Sequence, residues 1–434
     1  MNKIIIIVTL ITIISLASLF FYLQSNENTD KSTESILRPV LTIEVPYDPS
    51  LTNMDFDDFA ESQFKKHPMF SGYRGATFDG QNVYFAPYQS NHGRHGLSIF
   101  YNTELPFTDP NSWYIVNLGS IGGEGFQGAL YHENYVYYVP YFINDNNISG
   151  SHVYRYNTNM NWDDISSYDA MGFFGAYEDG VVADGFVYFS PHLDKTGNSN
   201  TIPLRYDTSK PFSDLNSWEE IQLDKKSSYI GAAFDGRYIY YSPYFSENDL
   251  PTPIMIYDTT KEFKNKDSWE FIPLEQSGYS NAGFNGTHVI FASKHIANNI
   301  MFLNTDTREL SFYNTNSIGY QGVIETDNAT YLVPYGIHSV KANAEVIEIT
   351  NSIKTFTPKI AIGGYWGGAY DGRYVYFTPY ANGTIMHGDV LRYDTSKPFD
   401  NDASWDEFSF SDINVKYVEG KTARIVPNIT VPPN

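Results

Sequence analysis

Hydrophobic and polar positions follow a pattern that recurs along the chain. In its clearest form, β-branched and aromatic residues fill two short runs, residues 230–234 and 238–242, and the polar pair Asp235-Gly236 separates them. Such a pair between two β-rich runs predicts a hairpin, because the turn needs a positive φ that glycine adopts freely. Pro243 ends the second run or places it at a sheet edge, since proline cannot donate a hydrogen bond to a strand ladder.

Seven copies of this unit are present. A marker position ends the second run of each copy, and the markers are Pro87, Pro140, Pro191, Pro243, Ser293, Pro334 and Pro379. A third run and a fourth run that starts near a tryptophan complete the unit. We place five tryptophans at this one position: Trp113, Trp162, Trp218, Trp269 and Trp405. A repeat of roughly 40 to 53 residues indicates a β-propeller.

We therefore predict an all-β fold, a seven-bladed β-propeller with four-stranded antiparallel blades. Radial repetition of this kind leaves only short, protected sheet edges. The first run of each unit becomes the innermost strand, and in the fourth unit Gly231 and Ala232 suit the narrow space where seven sheets converge.

The ends of the chain lie outside the repeats. We divide the chain into a hydrophobic signal or anchor helix at residues 1–23, a polar linker at 24–38, the propeller at 39–411 and a C-terminal tail at 412–434. Residues 40–45 and 424–429 are β-rich. We expect at least one of these segments, preferably the first, to pair with a terminal blade and close the ring.

The N-terminal apolar run covers residues 4–23 and contains no charge. At a rise of 1.5 Å per residue, a helix of this length reaches about 30 Å, enough to span a bilayer. The run predicts an uncleaved membrane anchor. A secretory signal peptide cleaved near Ala17 is the alternative. Both interpretations place the propeller outside the cytoplasm, either membrane-anchored or secreted.

Charge and cysteine content exclude several functions. The formal net charge is -22, from 50 acidic and 28 basic residues. Because a phosphate backbone repels such a field, we expect no nucleic-acid partner. The chain has no cysteine, which excludes disulfides, thiol nucleophiles and thiolate-bound metals.

Two aromatic columns carry a resemblance to a known family. Tyr206 and Trp218, like Tyr393 and Trp405, stand where kelch-type propellers place a Tyr and a Trp. The chain resembles this family in architecture, although Pro-Tyr replaces the kelch double glycine. Kelch-like propellers include adaptors, surface proteins and copper oxidases, so the resemblance implies a fold without a single function. The copper oxidases use a Cys–Tyr cross-link, which a chain without cysteine cannot make.

The loops after the second strands form our candidate binding face, because they vary in length and composition from blade to blade. Seven of the ten histidines lie in or beside these loops: His92, His95, His152, His192, His295, His338 and His387. One hypothesis is a ring of imidazoles that binds a divalent metal or serves in acid–base chemistry. His192 and His295 are its preferred metal ligands, because each interrupts the repeated Pro-Tyr pair: His192 stands in place of the tyrosine, and Lys294-His295 replaces the whole pair. The alternative is that histidine is simply a tolerated polar loop residue.

A column of tyrosines ends the second strands on the same face: Tyr88, Tyr141, Tyr244, Tyr335 and Tyr380. Tyrosine rings offer an apolar body with a polar tip, so we include them as candidate ligand-binding residues for a sugar or a peptide. As a repeated feature, the column is also explained by packing alone.

These observations favour a binding or interaction module outside the cell, with a protein or a carbohydrate as its ligand and the N-terminal helix as its membrane contact. We assign no catalytic residue. The alternative is an enzyme on the same fold, a metal-assisted lyase or hydrolase that acts on an extracellular polymer through the histidine-rich loops. General acid–base catalysis requires no local sequence motif.

Overall fold

The computed structural model describes most of the repeat region. The described residues are 70–141, 152–162, 164–172, 175–194, 198–199, 201–246, 251–294, 299–315, 319–335, 342–383, 385–410, 415–417 and 425–427. The predicted N-terminal helix and linker, and residues 40–45, lie outside this set. Within it, no helix is long and apolar enough to cross a membrane.

Seven four-stranded antiparallel sheets form the blades of a β-propeller, as predicted. The innermost strands are Tyr73–Phe78, Phe126–His132, Gly175–Ala183, Ser227–Phe234, Tyr279–Phe284, Tyr320–Glu325 and Tyr365–Tyr370. The second strands are Asn82–Pro87, Tyr135–Pro140, Phe186–Asp194, Tyr238–Ser246, His288–Ser293, Thr330–Pro334 and Tyr374–Pro379.

The outer half of each blade follows the same order. The third strands are Leu97–Asn102, His152–Asn157, Leu204–Asp207, Ile254–Asp258, Asn299–Asn304, Val346–Ile349 and Asp389–Asp394. The fourth strands are Trp113–Asn117, Tyr168–Gly172, Trp218–Glu220, Trp269–Ile272, Leu310–Asn314, Ile353–Phe356 and Trp405–Ser409.

Short elements connect and decorate the blades. The 3-10 helices are Pro110–Ser112, Leu118–Ile121, Ile165–Ser167, Leu215–Ser217, Lys266–Ser268 and Asp402–Ser404. Among the described residues, two-stranded hairpins pair Gln89–Ser90 with Gly93–Arg94, Ala381–Asn382 with Ile385–Met386, and Val415–Tyr417 with Ile425–Pro427.

The predicted Asp-Gly hairpins join the first and second strands. Gly80 and Gly236 both have φ of +100°. Each preceding aspartate stabilises its turn, and the Asp235 Oδ1 atom accepts hydrogen bonds from the backbone N–H groups of Arg237 and Tyr238 at 2.8 and 2.6 Å. This carboxylate therefore satisfies two donors that the hairpin leaves unpaired.

Blades 1 and 7 close the ring by packing. The innermost strand of each blade lies against those of its neighbours, and that of blade 7 lies against that of blade 1. Trp113 stacks on Phe408 with ring centroids 4.5 Å apart. Among the described strands, every blade sheet is built from its own repeat. The segment Ile425–Pro427 pairs with Val415–Tyr417 instead, so it supplies no closing strand; the corresponding prediction for residues 40–45 lies outside the described residues.

The hydrophobic core lies between the blades. At the interface of blades 3 and 4, Tyr188 packs against Tyr257 and Phe263 at centroid distances of 5.9 and 6.2 Å, and Trp269 belongs to the same cluster. Full burial of one such side chain stabilises the fold by about 1.5–3 kcal/mol. Equivalent clusters separate the other neighbouring blades.

The placement of Trp162 in the tryptophan column was wrong. In the other blades with this motif, the tryptophan indole donates to the carbonyl of an aromatic residue six positions earlier, as Trp113 does to Phe107 at 2.9 Å. In blade 2 the Tyr168 hydroxyl makes this bond to the carbonyl of Trp162. Trp162 thus takes the place of the earlier aromatic residue, and Tyr168 starts the fourth strand.

Candidate functional site

A ring of seven side chains surrounds the propeller axis, one from each blade. Each directly follows the marker position of its blade, and together they form the axial ring: Tyr88, Tyr141, His192, Tyr244, Lys294, Tyr335 and Tyr380. The marker ends the second strand in five blades, whereas in blades 3 and 4 the strand continues past Pro191 and Pro243. Five members are the predicted tyrosines. The other two, His192 and Lys294, are the departures from the repeat.

Contacts run around the whole axial ring. In order, the centroid distances are 6.1 Å for Tyr88–Tyr141, 5.3 Å for Tyr141–His192, 6.0 Å for His192–Tyr244, 6.2 Å for Tyr335–Tyr380 and 6.4 Å for Tyr380–Tyr88. Lys294 fills the remaining gap, with its Nζ atom 4.7 Å from the ring centroid of Tyr244 and 5.8 Å from that of Tyr335.

Glycines before the innermost strands fix the backbone of the axial ring. The backbone N–H of Tyr380 donates to the carbonyl of Gly364 at 3.1 Å, and that of Lys294 donates to Gly278 at 3.1 Å. Both glycines have positive φ, +78° and +100°. A Cβ atom on Gly364 would also lie 1.8 Å from the carbonyl oxygen of Ala381, so the close approach requires glycine.

A second layer of side chains lies beneath the axial ring. Every innermost strand carries an irregularity in its pairing within two residues after its first aromatic residue. A β-bulge re-aims a side chain. The residues that follow the aromatic form the bulge layer: Arg74, Gln127, Glu178, Ile230, Ser280, Gln321 and Trp366. All seven are buried.

Arg74 lies in an aromatic cage. Its guanidinium carbon lies 3.6 Å from the ring centroids of both Tyr88 and Trp366, and 4.6 Å from that of Tyr380. The Nη2 atom donates to the Tyr380 hydroxyl at 2.5 Å. Cation–π contacts of this kind contribute about 2 kcal/mol or more when desolvated.

Glu178 is the carboxylate of the site. Its Oε1 atom lies 4.0 Å from Lys294 Nζ, and its Oε2 atom lies 3.7 Å from His192 Nδ1. Glu178 is 2% exposed. Both non-tyrosine members of the axial ring therefore meet the same buried carboxylate, although they come from blades 3 and 5.

Burial shifts the protonation of these groups. It lowers the pKa of Lys294 to about 8, against the opposing attraction of Glu178, and lowers the pKa of His192 to about 4. At pH 7 the lysine is thus mainly charged and the histidine neutral. Arg74 and Lys294 supply two cationic groups to the axial ring and bulge layer, and Glu178 is the one carboxylate among these residues.

Several buried polar atoms of the bulge layer have no hydrogen-bond partner. They are Arg74 Nε, Glu178 Oε1, both amide atoms of Gln127, and Gln321 Oε1. Leaving such an atom unsatisfied costs about 1–3 kcal/mol. Groups of this kind are candidates for contact with a bound molecule.

Below the bulge layer the inner strands approach closely. The Asn281 amide Nδ2 atom of blade 5 donates to Asp179 Oδ2 of blade 3 at 2.8 Å. Both residues have positive φ, +61° for Asp179 and +35° for Asn281. Burial raises the pKa of Asp179 to about 7. This hydrogen bond joins blades that are not neighbours.

The predicted histidines occupy different environments. His92 and His152 are exposed. His95 and His387 hold equivalent positions in blades 1 and 7, where their Nε2 atoms bond to the carbonyls of Ser71 and Gly364 at 2.9 and 3.0 Å. These bonds give His95 and His387 a structural role in the fold.

His192 alone among the described histidines belongs to the axial ring. His295 and His338 lie outside the described residues, and Lys294 fills the position in blade 5. Within the described residues, no group of three or more His, Asp or Glu side chains is arranged to hold a metal ion. The metal site at His192 and His295 stays a prediction.

Sequence reasoning missed the bulge layer. The predicted site residues did not include Arg74, Glu178, Trp366 or Lys294. A signal was present, since the pattern aromatic–x–Gly recurs in the innermost strands with a different x in most blades, as in Tyr73-Arg74-Gly75 and Tyr365-Trp366-Gly367.

In comparisons with known proteins, no family model and no curated protein matches the chain. Among solved structures, the chain is similar to PorZ, a bacterial surface component of the type-IX secretion system of Porphyromonas gingivalis, with 10% identity and a TM-score of 0.48 over 79% of this chain. The match covers 38% of the PorZ chain.

Two further structures are similar at the same level. A chain of the mitotic checkpoint complex matches with 10% identity and a TM-score of 0.47, covering 70% of this chain and 86% of that one. YjhT matches with 12% identity and a TM-score of 0.43, covering 66% and 97%. Similarities this distant do not indicate a function.

Proposed function

We propose that the chain is a binding module and that its ligand occupies the axial ring. One observation carries this proposal: a buried cluster of charged groups, Arg74, Glu178 and Lys294, is enclosed by aromatic rings at positions where the fold does not require charge.

The repeat itself supplies the comparison. At the bulge-layer position of Arg74 and Glu178, other blades place Ile230, Ser280 and Trp366. At the ring position of Lys294, most blades place tyrosine. Since these blades form complete four-stranded sheets without an ion there, the charges serve something other than blade formation. Burial of an ion costs several kcal/mol, so a function in binding explains their presence.

The chemistry of the axial ring suits a protein or carbohydrate ligand. Aromatic side chains such as Tyr141 and Tyr244 provide flat apolar surface with a polar tip. These two residues are half-buried, whereas the other ring members described are buried. We infer that a ligand reaches the ring from the side of blades 2 to 4.

We further propose that the module acts outside the cell, held at the membrane by residues 4–23 or secreted after their removal. The support is the length and apolarity of this run. Protease added to intact cells tests the location: we expect the propeller to be digested without lysis. Digestion only after lysis would refute it.

The binding proposal is tested with the full chain in mild detergent on arrays of extracellular saccharides and peptides. We expect binding to at least one class and its loss in Trp366→Ala, which opens the cage around Arg74. Trp218→Ala, an equally large truncation far from the axis, is the control and should retain binding if the protein stays folded by circular dichroism. No binding, or equal binding by Trp366→Ala, would overturn the proposal.

The enzymatic alternative rests on Lys294, whose pKa of about 8 suits proton transfer near neutral pH. The geometry around His192 does not support a catalytic triad of Ser228, His192 and Glu178. Both Ser228 Oγ, at 2.6 Å, and Glu178 Oε2, at 3.7 Å, approach the same Nδ1 atom. A nucleophile–base–acid arrangement needs them on opposite ring nitrogens. We therefore expect array ligands to be recovered intact after prolonged incubation, and their cleavage would favour the enzyme.

A further inference from the structure

We propose that the axial ring recognises a carboxylate group of its ligand, with Arg74 and Lys294 as the cationic partners. This inference rests on the proposed binding function and names the chemistry of the ligand.

Charge gives the first argument. Two cations and one carboxylate meet in the site, because Lys294 Nζ and His192 Nδ1 both lie within 4.0 Å of Glu178 and Arg74 lies in the adjoining cage. Glu178 balances one cation and leaves one positive charge. A buried, uncompensated charge is unfavourable, and a single negative charge on a ligand would neutralise it. The chain as a whole carries -22, so this cluster of two cations differs in sign from the net charge of the chain.

The geometry of Arg74 gives the second argument. The guanidinium carbon lies 3.6 Å from the ring centroids of both Tyr88 and Trp366, and rings at this distance cannot accept the in-plane hydrogen bonds of its edge. The Nη2 atom has Tyr380 as its partner, and the Nε atom is buried without one. A guanidinium edge donates in a planar fork, and that fork matches a carboxylate.

Lys294 gives the third argument. The residue is 5% exposed. Its Nζ atom lies 4.6 Å from the ring centroid of Trp366 and 4.7 Å from that of Tyr244. Glu178 Oε1 at 4.0 Å is beyond hydrogen-bond distance. Glu178 thus attracts the lysine electrostatically but makes no direct hydrogen bond to it. A ligand oxygen would supply the direct acceptor.

The size of the charge separates a carboxylate from a phosphate monoester. A phosphate group carries nearly two negative charges at pH 7, more than the single net charge of the site. Glu178 would also repel the second negative charge of a phosphate group. A monoanionic carboxylate attached to a body that can lie against the tyrosine rings fits both requirements. An acidic sugar and a peptide carboxylate share this chemistry, and the experiment separates them.

Isothermal titration of the full chain uses two matched pairs of probes. One pair is a short uronic-acid oligosaccharide and its carboxyl-reduced neutral form; the other is an N-acetylated tyrosyl peptide as free acid and as amide. We expect one acid to bind and its neutral partner to bind at least about tenfold more weakly. Binding of the sugar acid or of the peptide acid identifies the source of the carboxylate.

Two variants test the assigned residues. Arg74→Met and Lys294→Met each keep an unbranched side chain of similar length and should each weaken binding of the acid by at least about tenfold. Arg205→Met is the matched control, because Arg205 lies against Phe186 and Phe263 between blades 3 and 4 and far from the axis. Its affinity should equal that of the wild type.

The outcomes distinguish the two proposals. If a neutral probe binds as well as its acid and binding is lost in Trp366→Ala, the binding function stands and the carboxylate inference falls. Full affinity of Arg74→Met for the acid would also overturn the inference. If none of the four probes binds, the inference falls, and the arrays described above decide the binding function independently.

Discussion

Lys294 Nζ and Glu178 Oε1 approach to 4.0 Å, although blade 4 separates their two blades. Most other blades fill these two repeat positions with uncharged side chains, and Arg74 of blade 1 is the other charged residue at the position of Glu178. The pair therefore cannot be explained by the packing of one blade on the next. It brings opposite charges together at the axis, beneath a ring of aromatic side chains.

Glu178 should support the charge of Lys294. Burial lowers the pKa of the lysine to about 8, and the attraction of Glu178 opposes that effect. In Glu178→Gln the opposing attraction is lost, so we expect the pKa of Lys294 to fall below about 8. NMR of ¹³C-methylated lysines, assigned with Lys294→Met, measures it. Glu219→Gln, whose carboxylate pairs with Arg205 away from the axis, is the control. An unchanged pKa in Glu178→Gln would contradict the pairing.

Lys294 should also make stability depend on pH. Its pKa is about 8 in the folded chain and 10.5 in an unperturbed lysine, so between these values the unfolded chain binds more protons. Stability attributable to this residue therefore rises with pH across that window, by up to about 3 kcal/mol. The other groups facing Lys294 do not titrate there in the folded chain: Arg74 stays charged, and burial raises the pKa of Tyr244 to about 12 and that of Tyr335 further.

The measurement is the free energy of unfolding in urea at pH 7, 8, 9 and 10 for the wild type and Lys294→Met. We expect the wild type to gain stability relative to the variant as the pH rises above about 8. Tyrosine ionisation in the unfolded state affects both chains equally. A difference that stays constant with pH would show that Lys294 has an ordinary pKa.

The hydrogen bond between Asn281 and Asp179 gives a prediction for the deeper layer. In Asn281→Asp, a second carboxylate replaces the amide that donates to Asp179 at 2.8 Å. Like charges this close share one proton, so we expect a loss of about 1–3 kcal/mol at pH 8 that shrinks near pH 5. Asn299→Asp is the control in the same blade, since the side-chain oxygen of Asn299 accepts from the Tyr279 hydroxyl and an aspartate could still accept. Equal losses at both pH values would contradict the account.

Close approach of inner strands predicts the effect of a single methyl group. A Cβ atom on Gly367 would lie 2.9 Å from the Cα atom of Gly75 in the neighbouring blade. The added Cβ atom would meet backbone atoms of the neighbouring strand, which cannot move aside as a flexible side chain can. Gly367→Ala should therefore destabilise the fold by about 1–3 kcal/mol in a urea titration. In Gly172→Ala the nearest atom, at 2.8 Å, is the tip of the exposed His152 side chain, which can move. A similar loss in both variants would refute the close packing.

The sequence was sufficient to predict the architecture, because each repeat forms its own sheet. The Asp-Gly pairs predicted the hairpins correctly, since aspartate and glycine each meet a local need of the turn, as Asp235 and Gly236 do. The tryptophan column was misjudged only at Trp162, where two aromatic residues exchange places six positions apart. Local composition does not distinguish the members of such a pair.

The site was predictable in part. The column that ends with Tyr88 and Tyr380 was identified, and so was the departure at His192. The bulge layer was not, because the sequence of blade 4, with Gly231 and Ala232, suggested that only small residues lie near the axis. The bulges that turn Arg74 and Glu178 toward it depend on pairing with the second strand, which no residue type signals alone.

The central claim is that the buried charges serve binding and are not required for the fold. Its most direct test is the free energy of unfolding of the triple variant Arg74→Met/Glu178→Met/Lys294→Met at pH 7, measured without ligand. Replacing buried ions by apolar groups of similar size is often neutral or stabilises by about 1–4 kcal/mol. We therefore predict that the variant is at least as stable as the wild type. A loss of several kcal/mol would show that the cluster holds the propeller together and would contradict the account.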